Sequence, residues 1–193
     1  IWTRILVLHF GSAVYAFSLM LTLFLVGLAG GAAWGARRVA RLQDPAADLC
    51  RVAAGLAAWT GVQIFLFMHF NELLGLFAAM IRPSGHSGAS LVLFLAAIPV
   101  LLLPTFLMGA MFPFGVAALA QRAGKNSSLS ALTGRLYAVN TVGTVLGAAA
   151  AGFLLIPLIG AQRGLIVAGM VDACAAFLFW MVQTRQPAPG SVH

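Results

Sequence analysis

The chain has 193 residues, 62% of them hydrophobic and only 8% charged, with a formal net charge of +7. A water-soluble domain of this length has nowhere to hide so much apolar surface, so lipid is the expected solvent for much of it. The basic residues fall between apolar runs, where water and lipid headgroups meet them; this placement points to a membrane surface and away from nucleic acid.

Ile1-Trp2-Thr3-Arg4 lacks the basic leader, short apolar core and small-residue cleavage site of a secretory signal peptide, and it reads as the middle of something longer. The first apolar run covers about 13–35, and at about 1.5 Å per residue a helix of that length crosses a hydrocarbon layer of roughly 30 Å. Arg37, Arg38 and Arg41 close it. The polar stretch around Gln43, Asp44, Pro45 and Asp48 then turns the chain, and a second span, about 52–77, carries it back with Glu72 in its far end. Cys50 sits near a membrane edge and Cys174 inside a later span, so no disulfide framework is implied and both read as small packed side chains.

Arg82-Pro83-Ser84-Gly85-His86-Ser87-Gly88 breaks helix and seeks water, marking a turn at the opposite face. The third span, about 90–119, is longer than one straight crossing needs. It holds Pro99, Pro104 and Pro113, each of which removes a backbone donor, so a kinked or broken helix is expected. A polar link over 121–130 leads to a fourth span at about 136–158. Gly160 to Arg163 form a tight turn, and a fifth span covers about 165–182. Residues 1–185 thus read as one all-α transmembrane domain, a bundle of about five helices, and 186–193 as a tail without a fold of its own.

Lys and Arg set the orientation. One face collects Arg37, Arg38, Arg41, Arg51, Arg122, Lys125, Arg135 and Arg185, and the other has Arg4, Arg82 and Arg163. The first face is expected to be cytoplasmic, with the tail inside. Trp34 and Trp180 near one boundary, and Trp2 and Tyr15 near the other, fit interfacial aromatic belts.

Few residues carry chemistry. Asp172 lies near the middle of an apolar span, where an ionised carboxylate is disfavoured by at least about 2.5 kcal/mol; it must face the bundle or be protonated. Helix counting puts Thr144 at its depth, with Thr141 one turn nearer the cytoplasm and Asn140 beside them. A hydrogen bond between these helices is one reading, and a proton or cation relay the sharper one. His69, Asn71 and Glu72 gather near the outer end of the second span, where pairing of Glu72 with Arg4, Arg82 or Arg163 competes with a metal or substrate-cation site; His69 alone also suits a tetrapyrrole. Gly27, Gly31 and Gly35, and later Gly143 and Gly147, recur every four residues, a spacing that puts small residues on one face and lets helix backbones approach. The stretch from Leu103-Pro104 to Phe112-Pro113 brackets Gly109 with two prolines, as in the broken helices from which transporters build midplane sites.

The run Gly134-Arg135-Leu136-Tyr137-Ala138-Val139-Asn140-Thr141-Val142-Gly143-Thr144-Val145-Leu146-Gly147, continuing through Gly152-Phe153-Leu154-Leu155-Ile156-Pro157 to Gly160, resembles the membrane region of bacterial spermidine synthase-like proteins with fused transmembrane helices. Trp2-Thr3-Arg4, then Gly11-Ser12-Ala13-Val14-Tyr15-Ala16-Phe17-Ser18 leading into Gly27-Leu28-Ala29-Gly30, and Leu103-Pro104 to Phe112-Pro113 agree in order, so the resemblance spans most of the chain. It departs at the start, where the family has a helix before the Trp-Thr-Arg motif.

The resemblance implies a bacterial inner-membrane protein whose cytoplasmic aminopropyltransferase domain, of Rossmann-like fold, uses decarboxylated S-adenosylmethionine and a diamine such as putrescine. These residues contain no Gly-rich nucleotide loop, and their only acids are Asp44, Asp48, Glu72 and Asp172, so no catalytic residue or cofactor of that domain carries over. The expected role is anchor, scaffold or substrate-delivering domain, with lipid and neighbouring helices as partners. An accessory subunit of a larger redox or photosynthetic complex, and a transporter of polyamines or other cations, are the competing functions.

Overall fold

The computed structural model describes residues 13–41, 44–81, 85–123 and 128–184. Its elements are α1 (Ala13–Val39), α2 (Pro45–Met68), α3 (Phe70–Ile81), α4 (Gly85–Ala123), α5 (Leu129–Ala149), a π-helical segment (Ala150–Leu155) and α6 (Ile156–Thr184), with no strand among the described residues. Five stretches are long and apolar enough to cross a membrane: Phe17–Val39, Pro45–Leu66, Ile98–Ala123, Leu129–Gly160 and Gln162–Val182.

Capping chemistry moves two boundaries away from where hydropathy alone puts them. Asp44 does not turn the chain but starts α2: its Oδ1 accepts from the amides of Ala46 and Ala47, both at 3.1 Å, while Pro45 occupies the first turn, where its missing N–H is no loss. The second span therefore begins at Pro45 instead of 52. Ser128 does the same for α5, accepting from the amide of Ala131 at 3.2 Å, so the fourth span begins at Leu129 instead of 136.

The second apolar run is also not one helix. It breaks at His69 (φ −106°, ψ 21°), where the backbone N–H donates to the Phe65 carbonyl and the ring Nδ1 lies 3.1 Å from that same oxygen. A second group competing for the Phe65 carbonyl ends the regular ladder, and α3 starts one residue later. Conversely, α4 runs through Pro99, Pro104 and Pro113 as a single element of 39 residues, so of the two expected forms, kinked or broken, the prolines do not break it.

Pro157 acts one turn ahead of itself. It has no N–H for the Phe153 carbonyl, and the ladder before it shifts to wider spacing, the Ile156 N–H reaching back to the Ala151 carbonyl. Gly160 (φ 81°, ψ 169°) then adopts a backbone conformation that only glycine takes readily and separates the fourth apolar stretch from the fifth.

Packing is uneven. The most extensive contact is between α1 and α4, and α2 lies against both α4 and α6. Val52, Ala110 and Phe114 form a buried cluster at one end, edged by Val39, Leu49, Leu107 and Met111, and Trp34 meets the Phe114 ring edge-on at 5.8 Å between centroids. By contrast, α5 and the π-helical segment bury no residue. Near its start α5 touches α4, where Leu136 packs against Gly115.

Candidate functional site

A line of polar groups ties α6, α2, α4 and α1 together. On α2, Thr60 and Gln63 are three residues apart, a spacing that places them on neighbouring parts of one helix face, and both are buried. The Thr60 hydroxyl lies 3.0 Å from the Leu56 carbonyl in its own helix and 3.0 Å from Asp172 Oδ2 on α6, so one proton has two acceptors within reach. The two helices cross closely there, because Gly169, one turn before Asp172, leaves room for Thr60 and Ile64. Nearby on α2 the Trp59 indole N–H is buried without a partner among the described residues.

Gln63 points to α4, where its Nε2 donates to the carbonyl of Val100 at 2.6 Å. The acceptor follows from the sequence of α4. A helical carbonyl is normally served by the N–H four residues on, but that residue is Pro104, which has none. Gln63 therefore supplies from another helix the donor that Pro104 lacks. One position further, the Thr105 hydroxyl bonds back to the carbonyls of Leu101 and Leu102 at 2.8 and 3.0 Å. That side chain fills the space beside Gly27 of α1.

The α1–α4 contact is backbone against backbone. A Cβ on Gly31 would strike the Phe106 carbonyl, one on Gly35 would meet Pro113 and Ala110, and one on Gly109 would run into the backbone of Leu28 and Ala32. The Pro104 to Pro113 stretch is thus covered by α1 along this face. Spacing of four on α1 meets a single glycine on α4, and the two helices approach closely over about two turns.

Several candidate residues lie apart from this line. Thr144 and Thr141 each bond back to their own helix, to the carbonyls of Asn140 and Tyr137 at 2.8 Å, and neither provides the partner of Asp172. The expected Asp172–Thr144 pairing is replaced by Asp172–Thr60: α6 packs on α2, with α5 standing off. Asn140, Thr141 and Thr144 are exposed, and among the described residues nothing approaches a Cβ built on Gly143 or Gly147 within 4 Å.

At the other cluster, His69 stacks on Phe65 with ring centroids 4.4 Å apart, while Asn71 and Glu72 are exposed in the first turn of α3. Arg4 and Arg82 lie outside the described residues, and so do Lys125, Arg185 and Tyr15's side chain. No group of three or more His, Cys, Asp or Glu side chains able to hold a metal occurs among the described residues.

Thr60 and Gln63 are the residues that sequence reading missed. The signal was present: an amide inside an apolar run has to find a partner, and Pro104 announces a carbonyl without a donor. Comparison with family models, curated proteins and solved structures yields no match to this chain.

Proposed function

We propose that the chain is a membrane-embedded helical scaffold, the membrane domain of a spermidine synthase-like protein in a bacterial inner membrane. The observation that carries this reading is that three buried polar side chains are engaged with neighbouring helices or with their own: Thr60 with Asp172, Gln63 with the Val100 carbonyl, Thr105 with its own turn beside Gly27. Residues held in this way fix helix positions. Large side chains such as Val14, Phe153, Leu158 and Met170 are more than 60% exposed, a surface that a bilayer solvates and water does not. The Arg-rich end is cytoplasmic, with the tail on that side, and aminopropyl transfer from decarboxylated S-adenosylmethionine belongs to a domain outside these residues.

The test has three parts. The chain should stay in the membrane through alkaline carbonate extraction. Cysteines introduced at Lys125 and Arg163 should be labelled from opposite sides, Arg163→Cys from outside. The purified chain should not transfer an aminopropyl group to putrescine, whereas material captured through it from native membranes should. Release by carbonate, reversed labelling, or transfer by these residues alone overturns the corresponding part.

One observation favours a second reading, an accessory subunit of a larger membrane complex. Among the described residues, nothing approaches the face of α5 carrying Gly143 and Gly147, and small residues at that spacing are a common helix-docking surface. Recovery of the chain in fixed stoichiometry with redox or light-harvesting subunits, without transferase activity, would replace the first reading by this one. For cation transport through Asp172, loss of uptake in vesicles on Asp172→Asn is the required result.

A further inference from the structure

The first turns of α2 and the last turns of α6 do not close against each other. Between them lies an open groove of about 580 Å³, walled by Ala54, Ala176, Phe177 and Trp180, with Cys50 and Arg51 on its α2 side. Ala47 and Thr184 mark its mouth, at the ends of the apolar stretches Pro45–Leu66 and Gln162–Val182. From Ala47 to Ala54 it runs inward by about 10 Å at the helical rise per residue. It stops short of Thr60 and Asp172, where Gly169 lets the two helices meet.

The chemistry changes along its length. The deep part presents alanine methyls and the Phe177 ring, which suit a hydrocarbon chain and offer nothing to a polar ligand. At the mouth sits a cation. Arg51 gives one N–H of Nη1 to Asp48 at 2.7 Å, yet its side chain is 73% exposed, and a guanidinium carries five N–H donors in a flat fork that matches phosphate oxygens. The same end of the bundle gathers Arg37 and Arg38 from the last turn of α1 and Arg122 from the last turn of α4, so with Arg51 four cations there stand against the two carboxylates Asp44 and Asp48. A cationic mouth at headgroup level above an apolar trench fits a molecule with an anionic head and an acyl tail.

We propose that this groove is a binding site for an anionic phospholipid, with its phosphate on Arg51 and one acyl chain along Ala54, Ala176 and Phe177. The site rests on the reading that these helices lie in a bilayer. A zwitterionic lipid enters the same trench but brings its own cation to the arginine-rich mouth, so the groove selects phosphatidylglycerol over phosphatidylcholine.

Cys50 reports occupancy, because it lines the groove and is half-buried. Full-length chain carrying Cys174→Ala is reconstituted into phosphatidylcholine vesicles with or without 20 mol% phosphatidylglycerol, and the rate of N-ethylmaleimide labelling is measured. Co-sedimentation with the vesicles establishes insertion separately, so failure to insert tests the membrane reading and not the lipid site. Phosphatidylglycerol should slow labelling at least about threefold. Arg51→Gln should abolish the difference between the two membranes, Arg163→Gln should preserve it, and Ala176→Phe should slow labelling in both by filling the trench. Equal rates in the two membranes, or a selectivity untouched by Arg51→Gln, overturns the proposal. So does protection that rises with protein-to-lipid ratio in phosphatidylcholine alone, which would place a second copy of the chain in the groove.

Discussion

Gln63→Leu removes the donor that serves the Val100 carbonyl while keeping nearly the same volume, so cavity formation contributes little. Leaving one buried acceptor unpaired is worth about 1–3 kcal/mol in soluble proteins, and interhelical bonds in membranes measure about 0.6–1.7 kcal/mol, so a loss of about 1–2 kcal/mol is expected. The size of this loss does not by itself test the reasoning; its dependence on Pro104 does. Pro104→Ala restores an N–H four residues after Val100, which closes the bond within α4 and makes Gln63 redundant. In that background Gln63→Leu should destabilise by less than about 0.5 kcal/mol, a coupling of about 1 kcal/mol between positions on different helices. Equilibrium unfolding by steric trapping in bicelles reads all four corners of the cycle. Additivity within about 0.5 kcal/mol would refute the claim that Gln63 compensates for the proline.

Three further outcomes follow from the same geometry. Gly31→Ala places a methyl against the Phe106 carbonyl and should destabilise by about 1–3 kcal/mol, whereas Gly147→Ala, facing open space, should shift the same unfolding measurement by no more than about 1 kcal/mol in either direction. Asp44→Ala removes the cap of α2 and should lower stability by about 0.5–2 kcal/mol, with faster hydrogen exchange at Ala46 and Ala47 than in the parent chain. Asp172→Asn keeps a group able to bond Thr60 and should change stability by less than about 1 kcal/mol; Asp172→Leu and Thr60→Val should each cost more, and their effects should be non-additive because they remove one shared bond.

The five apolar stretches were legible because a bilayer demands about twenty apolar residues in a row, and little else in a sequence looks like that. Their ends were less so. Hydropathy stops at the first polar residue, but Asp44 and Ser128 are polar where a helix needs an oxygen to accept its free amides, and so cap the helices that follow them. The break at His69 had no glycine or proline to announce it. The site was legible in part: Asp172 stands out in any reading, and depth along a helix is countable. What counting does not choose is the neighbour. Thr144 comes from the helix adjacent in sequence and Thr60 from one far away, and only the chain's packing, with α5 standing off and Gly169 opening a crossing with α2, decides between them.

The Thr60–Asp172 bond joins positions 112 residues apart. During synthesis α2 is complete long before α6 emerges, and through that interval Thr60 has the Leu56 carbonyl of its own turn as its partner. Gln63 waits a shorter time, for Val100. Synthesis therefore offers α2 its partners in two stages, first α4 and last α6. A nascent chain halted within α5 would carry α1, α2 and α4 while leaving bare the side of α2 that Gly169 and Asp172 later cover.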